Sequence, residues 1–283
     1  MSRLTEFDHR RDLAGLTYVY PVLSRRAGGL SIGINLNPNH ACNWRCIYCQ
    51  VPNLRRGNAP PIDTEVLAQE LEILLTEVLE GDFYDRYQVP PQRRLLRDIA
   101  ISGDGEPTTA QDFDRIVETI GEVAARFRLT GRIGFVLITN GSRIERPSVQ
   151  RALRRWAEWG GEVWFKVDRA TTEGIGRTNQ VHLAPETVRR RLSACAGVCP
   201  TWIQTCWFAL DDRAPSESEG MAYLDFVGGL VGDGVPLRGV LLYGIARPSC
   251  QPEAPRLSRL APAELEAFAE RIRERGLIVR STP

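Results

Sequence analysis

Short β-rich runs alternate with helical stretches along most of these 283 residues. That alternation constrains the fold more than any other feature. "LSIGINL" (30–36), "RDIAIS" (97–102), "RIGFVLIT" (132–139), "EVWFKVD" (162–168), "TWIQTCWFAL" (201–210) and "LRGVLLYGIA" (237–246) read as strands. Between the first two lies "IDTEVLAQELEILLTEVLEG", a helix that Asp63 can cap and Gly81 can end. Further helical patterns run over 110–127, from near Pro147, over 184–197, from about Glu217 to Leu230, and over 262–276, the last leading into "LIVRS". Strand–helix alternation of this kind predicts a parallel sheet. Six units can form an open doubly wound sheet or an incomplete β/α barrel, and both gather ligands at the carboxyl ends of the strands. Residues 1–28 read as an arm outside the repeating units, 251–283 as a helix–strand extension, and the whole chain as one domain with its core at about 30–250.

The polar and glycine-rich segments fall where such a fold binds ligands. A cysteine cluster follows the first strand, "GDGEPTT" (103–109) the second, "NGSR" (140–143) the third and "DRAT" (168–171) the fourth. "DDRAPS" (211–216) follows the fifth and "RPS" (247–249) the sixth. Any one of these is ordinary loop chemistry; six at one rim predict a site.

A net charge of +1 points to neither nucleic acid nor an anionic membrane. No apolar run approaches the ~20 residues that span a bilayer, and "MSRLTEFDHRRDLAGL" lacks the apolar stretch of a secretory signal. A cytoplasmic location is the expectation, and there clustered cysteines are metal-binding or catalytic rather than disulfide-bonded.

Lysine and arginine total 36, yet Lys166 is the single lysine. Arginine substitutes for lysine at most solvated sites. It does not where a compact ammonium or a deprotonatable amine is needed. Lys166 and Asp168 alternate with Val167, so both face one side of their strand, inward in a barrel. The plain alternative is a structural Lys166–Asp168 pair at the rim.

"NHACNWRCIYCQ" carries Cys42, Cys46 and Cys49 in the spacing Cys-x3-Cys-x2-Cys. Structural zinc takes four ligands, usually as two paired hooks, and no second hook is evident. His40 is too near in sequence to serve well as a fourth ligand and is expected to order the loop instead. An ordinary iron–sulfur protein uses four cysteines. Three thiolates on a four-iron cluster leave one iron open to a substrate or cofactor.

At these residues the chain resembles the radical S-adenosylmethionine (radical SAM) superfamily. "CNWRCIYC", with Tyr48 before Cys49, matches its cluster motif. "SGDGEPT" resembles its Gly-Gly-Glu segment, with Asp104 in place of the first glycine, and "TNG" (139–141) fits it as well. The likeness covers roughly residues 30–250. "SRRAGGLSIGINLNPNHACNWRCIYCQ" and "ISGDGEPT" are most similar to the subgroup that includes the tRNA wyosine-synthesis enzymes and small uncharacterised bacterial relatives.

The resemblance implies a partial (β/α)6 barrel in which Cys42, Cys46 and Cys49 hold a 4Fe-4S cluster and S-adenosylmethionine chelates the open iron. One-electron cleavage of the sulfonium then forms a 5′-deoxyadenosyl radical that takes hydrogen from a substrate, with flavodoxin or ferredoxin as electron donor. It also implies cofactor-binding positions in the segment Ser102, Gly103, Gly105 and Glu106. The glycines let backbone approach a ligand, and Glu106 accepts from the methionine ammonium. Asn140 is expected at the ribose or the methionine carboxylate, and Tyr48 near the adenine. Lys166 is expected at the SAM carboxylate or, with Asp168, in catalysis, where an amine can form a Schiff base. Wyosine enzymes condense a methylated guanine in tRNA with pyruvate, which would suit such a lysine.

The expected substrate is a small or nucleoside-like molecule, with tRNA the alternative. The arginine pairs at 25–26, 55–56, 93–94 and 154–155, and the triplet at 189–191, read as solvated faces. A non-enzymatic electron carrier and a zinc-stabilised nucleic-acid-binding protein are the readings from other classes. Cys195, Cys199, Cys206 and Cys250 are numerous enough for a second cluster, but buried free thiols are the simpler expectation.

Overall fold

A computed structural model of the chain describes residues 3–6, 11 and 13–283. Eight strands form one sheet in chain order. They are β1 (Val19–Ser24), β2 (Gly29–Ile34), β3 (Leu96–Ile101), β4 (Gly134–Thr139), β5 (Glu162–Lys166), β6 (Thr201–Cys206), β7 (Leu237–Tyr243) and β8 (Val279–Thr282). From β2 to β8 every pairing is parallel. Helices make the crossovers: α1 (Thr64–Leu79), α2 (Phe113–Arg126), α3 (Pro147–Glu158), α4 (Thr172–Asn179), α5 (Pro185–Ala196), α6 (Glu217–Gly232) and α7 (Pro262–Arg273). All six expected strands are present, and the open sheet with β1 and β8 at its edges is the expected partial barrel.

The local signals acted as their chemistry requires. Asp63 accepts from the backbone N–H of Glu65 at 3.0 Å and of Val66 at 3.1 Å and so caps α1. The expected C-terminal extension is α7 followed by β8.

Three features differ from the sequence reading. The N-terminal arm is partly sheet: Val19–Ser24 pairs antiparallel with all six residues of β2. The fifth strand stops at Cys206, and Ala209–Leu210 turns away to pair with Leu257–Ser258. Helix α4 was not anticipated; Thr171 caps it through Gly174 N–H at 3.0 Å.

Strand alternation gives the sheet two unlike faces. Ile32, Ile99, Leu137, Phe165, Ile203 and Val240 point outward and join the helices in one apolar core. The inward face instead carries Ser31, Asp98, Glu162, Lys166, Gln204 and Tyr243. Burying polar groups costs free energy unless they are bonded, so a polar barrel interior marks a working cavity rather than a packing core. No helix among the described residues is long and apolar enough to cross a membrane.

Candidate active site at the strand carboxyl ends

The cysteine loop leaves β2 through Asn35 and Asn37, both buried. Asn37 Nδ2 donates to Ala41 O at 2.8 Å. His40 takes a left-handed backbone, φ 54°, to turn the chain. Its N–H donates to Asn37 O and its carbonyl accepts from Arg55 N–H, both at 2.9 Å, so it orders the loop as expected.

Helix α4 grips the loop from one side. Ile47 N–H donates to Thr178 O at 2.9 Å and Arg45 N–H to Asn179 O at 3.2 Å. Asn179 Nδ2 lies 3.2 Å from Cys46 Sγ. From the other side, Ser249 Oγ donates to Ile47 O and Cys49 O at 2.8 and 3.0 Å. Arg45 holds Glu253 with two bonds of 3.1 and 2.6 Å.

All three cysteines are half-buried and free. Burial pushes the Cys42 and Cys46 thiols up to about 12, and Cys49 upward too. Each of Cys42 and Cys46 feels the charge of the sulfurs after it, so the three are electrostatic neighbours. Among the described residues, however, no three Cys, His, Asp or Glu side chains converge as ligands of a single ion. A tetrahedral zinc needs every sulfur about 2.3 Å from one point, whereas a four-iron cluster gives each cysteine its own iron. Three neighbouring but non-convergent thiols, two of them touched by N–H donors (Asn179 on Cys46, Trp44 N–H on Cys42 at 3.4 Å), fit a cluster better than a lone ion.

The "SGDGEPT" segment folds back onto this loop. A methyl group on Gly105 would sit 2.1 Å from Ala41 O, and one on Gly103 would sit 2.3 Å from Asn35 Oδ1. The close approach these glycines permit is therefore to the cysteine loop itself. Ser102 Oγ bonds Tyr20 Oη at 2.9 Å. Glu106 is buried and accepts four bonds. Three reach Oε1, from Thr108 N–H (3.1 Å), Thr108 Oγ1 (2.5 Å) and Thr139 Oγ1 (2.6 Å), and one reaches Oε2, from Asn140 N–H (2.6 Å). Burial raises its pKa against the pull of these donors. Glu106 thus ties β3 to β4, and only Oε2 keeps acceptor capacity for a further donor. Asn140 Nδ2 donates to Asn43 Oδ1 at 2.9 Å, joining "TNG" to the cysteine loop.

Deeper in the barrel, Lys166 Nζ donates to Tyr243 Oη at 3.2 Å and lies 5.0 Å from the centre of the Tyr48 ring. Tyr243 sits beside Cys206 across the β6–β7 pairing. Burial pushes Lys166 toward its neutral form, but the groups around it, the carboxylate of Asp168 foremost, raise its pKa overall and hold it protonated. The direct Lys166–Asp168 pair of the plain alternative is absent. Asp168, 2% exposed, instead accepts from Tyr48 Oη at 2.5 Å, Asn179 Nδ2 at 2.7 Å and Cys206 N–H at 2.9 Å.

The remaining cysteines do not gather. Cys195 and Cys199 are buried in the outer core, near Thr201 and Gly161 at the amino ends of the strands. Cys206 faces the interior, and Cys250 is exposed on the rim, its N–H bonded to Cys49 O at 2.8 Å. They form no second cluster site.

Two residues of the site were given no role from the sequence. Asn179 gave no signal beyond ending a helix that itself was missed. Asp104 gave one, a charge within a glycine-rich turn. It is buried and accepts from Asn35 Nδ2 at 3.0 Å and Arg11 Nε at 3.2 Å, with His40 Nδ1 also 3.2 Å away.

No family model matches the chain. The UPF0026 protein of Helicobacter pylori (strain J99) is 29% identical over 137 residues, which are 48% of this chain and 38% of that protein. The match therefore spans well under half the length of its curated relative. Among solved structures, TYW1 with a lysine–pyruvate adduct bound superposes with a TM-score of 0.56 at 12% identity, covering 88% of this chain and 74% of that one. A radical SAM methyltransferase from Sphaerobacter thermophilus gives 0.55 at 11% identity, covering 95% and 70%. With its cysteine loop at the mouth of six parallel β/α units, the chain has the fold of the radical SAM enzymes.

Proposed function

We propose that this protein is a radical SAM enzyme acting on a small or nucleoside-like substrate. The observation that carries the reading is the cysteine loop: three free, half-buried thiols at the carboxyl end of β2, above a polar interior. Cys42, Cys46 and Cys49 would hold a 4Fe-4S cluster whose open iron takes S-adenosylmethionine. When bound, the pair supplies one-electron cleavage of the sulfonium and a 5′-deoxyadenosyl radical that removes hydrogen from the substrate.

The chain's own residues position that chemistry. Asn179 donates to Cys46 and is held by Asp168, which also fixes the Tyr48 hydroxyl. Asp168 is therefore a positioning residue. Oε2 of Glu106 is the acceptor available to an ammonium. Lys166 stands one layer below, where a substrate would reach it. An external electron donor such as flavodoxin or ferredoxin completes the reading.

The test is anaerobic. Reconstitution with iron and sulfide, reduction and addition of S-adenosylmethionine should release 5′-deoxyadenosine, and the triple cysteine variant should release none. A four-iron cluster that neither binds nor cleaves S-adenosylmethionine would favour an electron carrier. Zinc in place of iron would favour a zinc-stabilised nucleic-acid-binding protein.

One observation favours a wyosine-type reaction on tRNA as the second reading. The only lysine lies inside the barrel, and a structural neighbour carries a lysine–pyruvate adduct. Pyruvate with borohydride should then add mass irreversibly at Lys166. An unmodified Lys166 after that treatment removes this reading.

A further inference from the structure

The segment that follows the cysteine loop folds back against it. Arg55–Arg56 pairs in parallel with Ala41–Cys42, which sets Arg56 opposite Cys42. Arg55 N–H donates to His40 O at 2.9 Å and Gly57 N–H to Cys42 O at 3.1 Å. The Arg56 guanidinium donates to Asn43 O at 2.7 Å and to Gln180 O, just past the end of α4. These bonds hold Arg56 in place against the loop. Both arginines are nevertheless exposed, and neither pairs with a carboxylate among the described residues.

The surface around them carries no competing negative charge. Pro52, Asn53 and Asn58 of the same segment are exposed and neutral, as are Pro248 and Cys250 beside Cys49. Glu253 is already held by Arg45, and Asp104 is buried among its own donors. In the sequence, residues 13–62 hold five arginines and no aspartate or glutamate, in a chain whose net charge is only +1. Positive charge is therefore concentrated in the stretch that contains the cysteine loop.

One-electron chemistry at that loop needs a partner to deliver the electron. Electron transfer weakens steeply with distance, so the partner must dock where the loop meets solvent. From Arg56 to Cys42 the path crosses a single backbone pairing. Encounters between electron carriers bury little surface, and opposite charge steers them together rather than holding them tightly. A small patch of two fixed arginines among neutral residues suits such an encounter. RNA instead calls for many cations spread along its phosphates, and this face offers too few.

We propose that Arg55 and Arg56, with the neutral surface of residues 52–58, form the docking face for an acidic one-electron carrier protein, which delivers its electron through the Cys42 side of the loop. The proposal deepens the enzyme reading and rests on it for the electron's use. Only an electron crosses the face. The carrier is oxidised by one electron, the site is reduced by one, and no bond forms or breaks.

The reconstituted full chain is titrated anaerobically by calorimetry with an acidic flavodoxin and an acidic ferredoxin, and its backbone hydrogen exchange is followed with each and with tRNA transcripts. At least one carrier should bind, added salt should weaken the binding, and the amides of 52–58 should be protected. Arg55→Glu/Arg56→Glu should weaken that binding by about tenfold or more, whereas Arg154→Glu, on the exposed face of α3, should not. Should the double variant fail to fold, Arg55→Glu alone, which leaves the Arg56 bonds intact, and the wild-type protection pattern decide. Binding of neither carrier, protection confined to other segments, or indifference to charge reversal overturns the proposal. Protection of 52–58 by tRNA and by neither carrier also overturns it and assigns the face to RNA. Release of 5′-deoxyadenosine with a chemical reductant is measured separately on wild type, so the docking face and the enzyme reading can each fail alone.

Discussion

Replacing Asp168 by Asn tests whether one carboxylate organises the site. Its two oxygens serve three donors: Tyr48 Oη and Asn179 Nδ2 on Oδ2, Cys206 N–H on Oδ1. An asparagine has one acceptor oxygen. Turned toward Cys206 N–H, it presents its own NH₂ to Tyr48 and Asn179. Tyr48 can reverse its hydroxyl and accept. Asn179 can accept only by turning its amide over, which takes Nδ2 away from Cys46 Sγ; otherwise two NH₂ groups face each other in a buried space. A hydrogen bond to a charged group is worth about 1.5–3 kcal/mol, and a stranded buried donor costs about 1–3 kcal/mol. With the Tyr48 bond partly recovered, the variant should lose about 2–4 kcal/mol. At roughly 2–4 °C per kcal/mol for a large domain, Tm should fall by about 5–15 °C. Tyr48→Phe removes one bond and leaves no donor stranded, so it should cost less. Anaerobic guanidinium unfolding of the reconstituted protein gives the energies. Because Asn179 also touches Cys46 Sγ, the cluster's reduction potential should move in Asp168→Asn. A loss under ~0.5 kcal/mol with an unchanged potential would refute the positioning role.

Asp98 supplies a pH test. Burial, opposed by the bond from Ser31, pushes its carboxyl up to about 6 from an ordinary 3.8. A folded pKa above the unfolded one favours folding while the group is protonated. Its contribution is complete below about pH 4 and is lost as pH rises through about 6, a difference of roughly 3 kcal/mol. Asp98→Asn should therefore stabilise the protein at pH 7.5 and flatten stability between pH 4 and 6; an unchanged pH profile would contradict this. Lys166→Arg keeps the charge but forces a larger planar group between Tyr48 and Tyr243, so turnover should fall at least tenfold while the fold holds. Wild-type rates there would make the single lysine a coincidence. Cys46→Ala should abolish the four-iron absorption. Wild-type iron near four per chain agrees with the dispersed placement of Cys195, Cys199, Cys206 and Cys250, whereas about eight would contradict it.

Much of this molecule is local and therefore legible in the chain. Hydrophobic periodicity and helix caps act within a few residues, so six strands, their helices and the cap at Asp63 follow from sequence. Likewise, three cysteines within eight residues must share a loop. The N-terminal strand was missed although "VYPVLS" is rich in strand formers; its Pro21 argues against a central strand and is tolerated because β1 lies at the sheet's edge. Helix α4 is short and weakly patterned, yet it grips the cysteine loop. The contacts that define the site's chemistry join residues far apart in sequence: Tyr48 to Asp168 across 120 positions and Asn179 to Cys46 across 133. Strand alternation alone put Lys166 and Asp168 on one face; register and packing decided that they contact different partners. Sequence determined the scaffold and the grouping of the three cysteines, because both depend on near neighbours. Tertiary structure decided which donors Glu106 and Asp168 collect, because that depends on the position of distant groups.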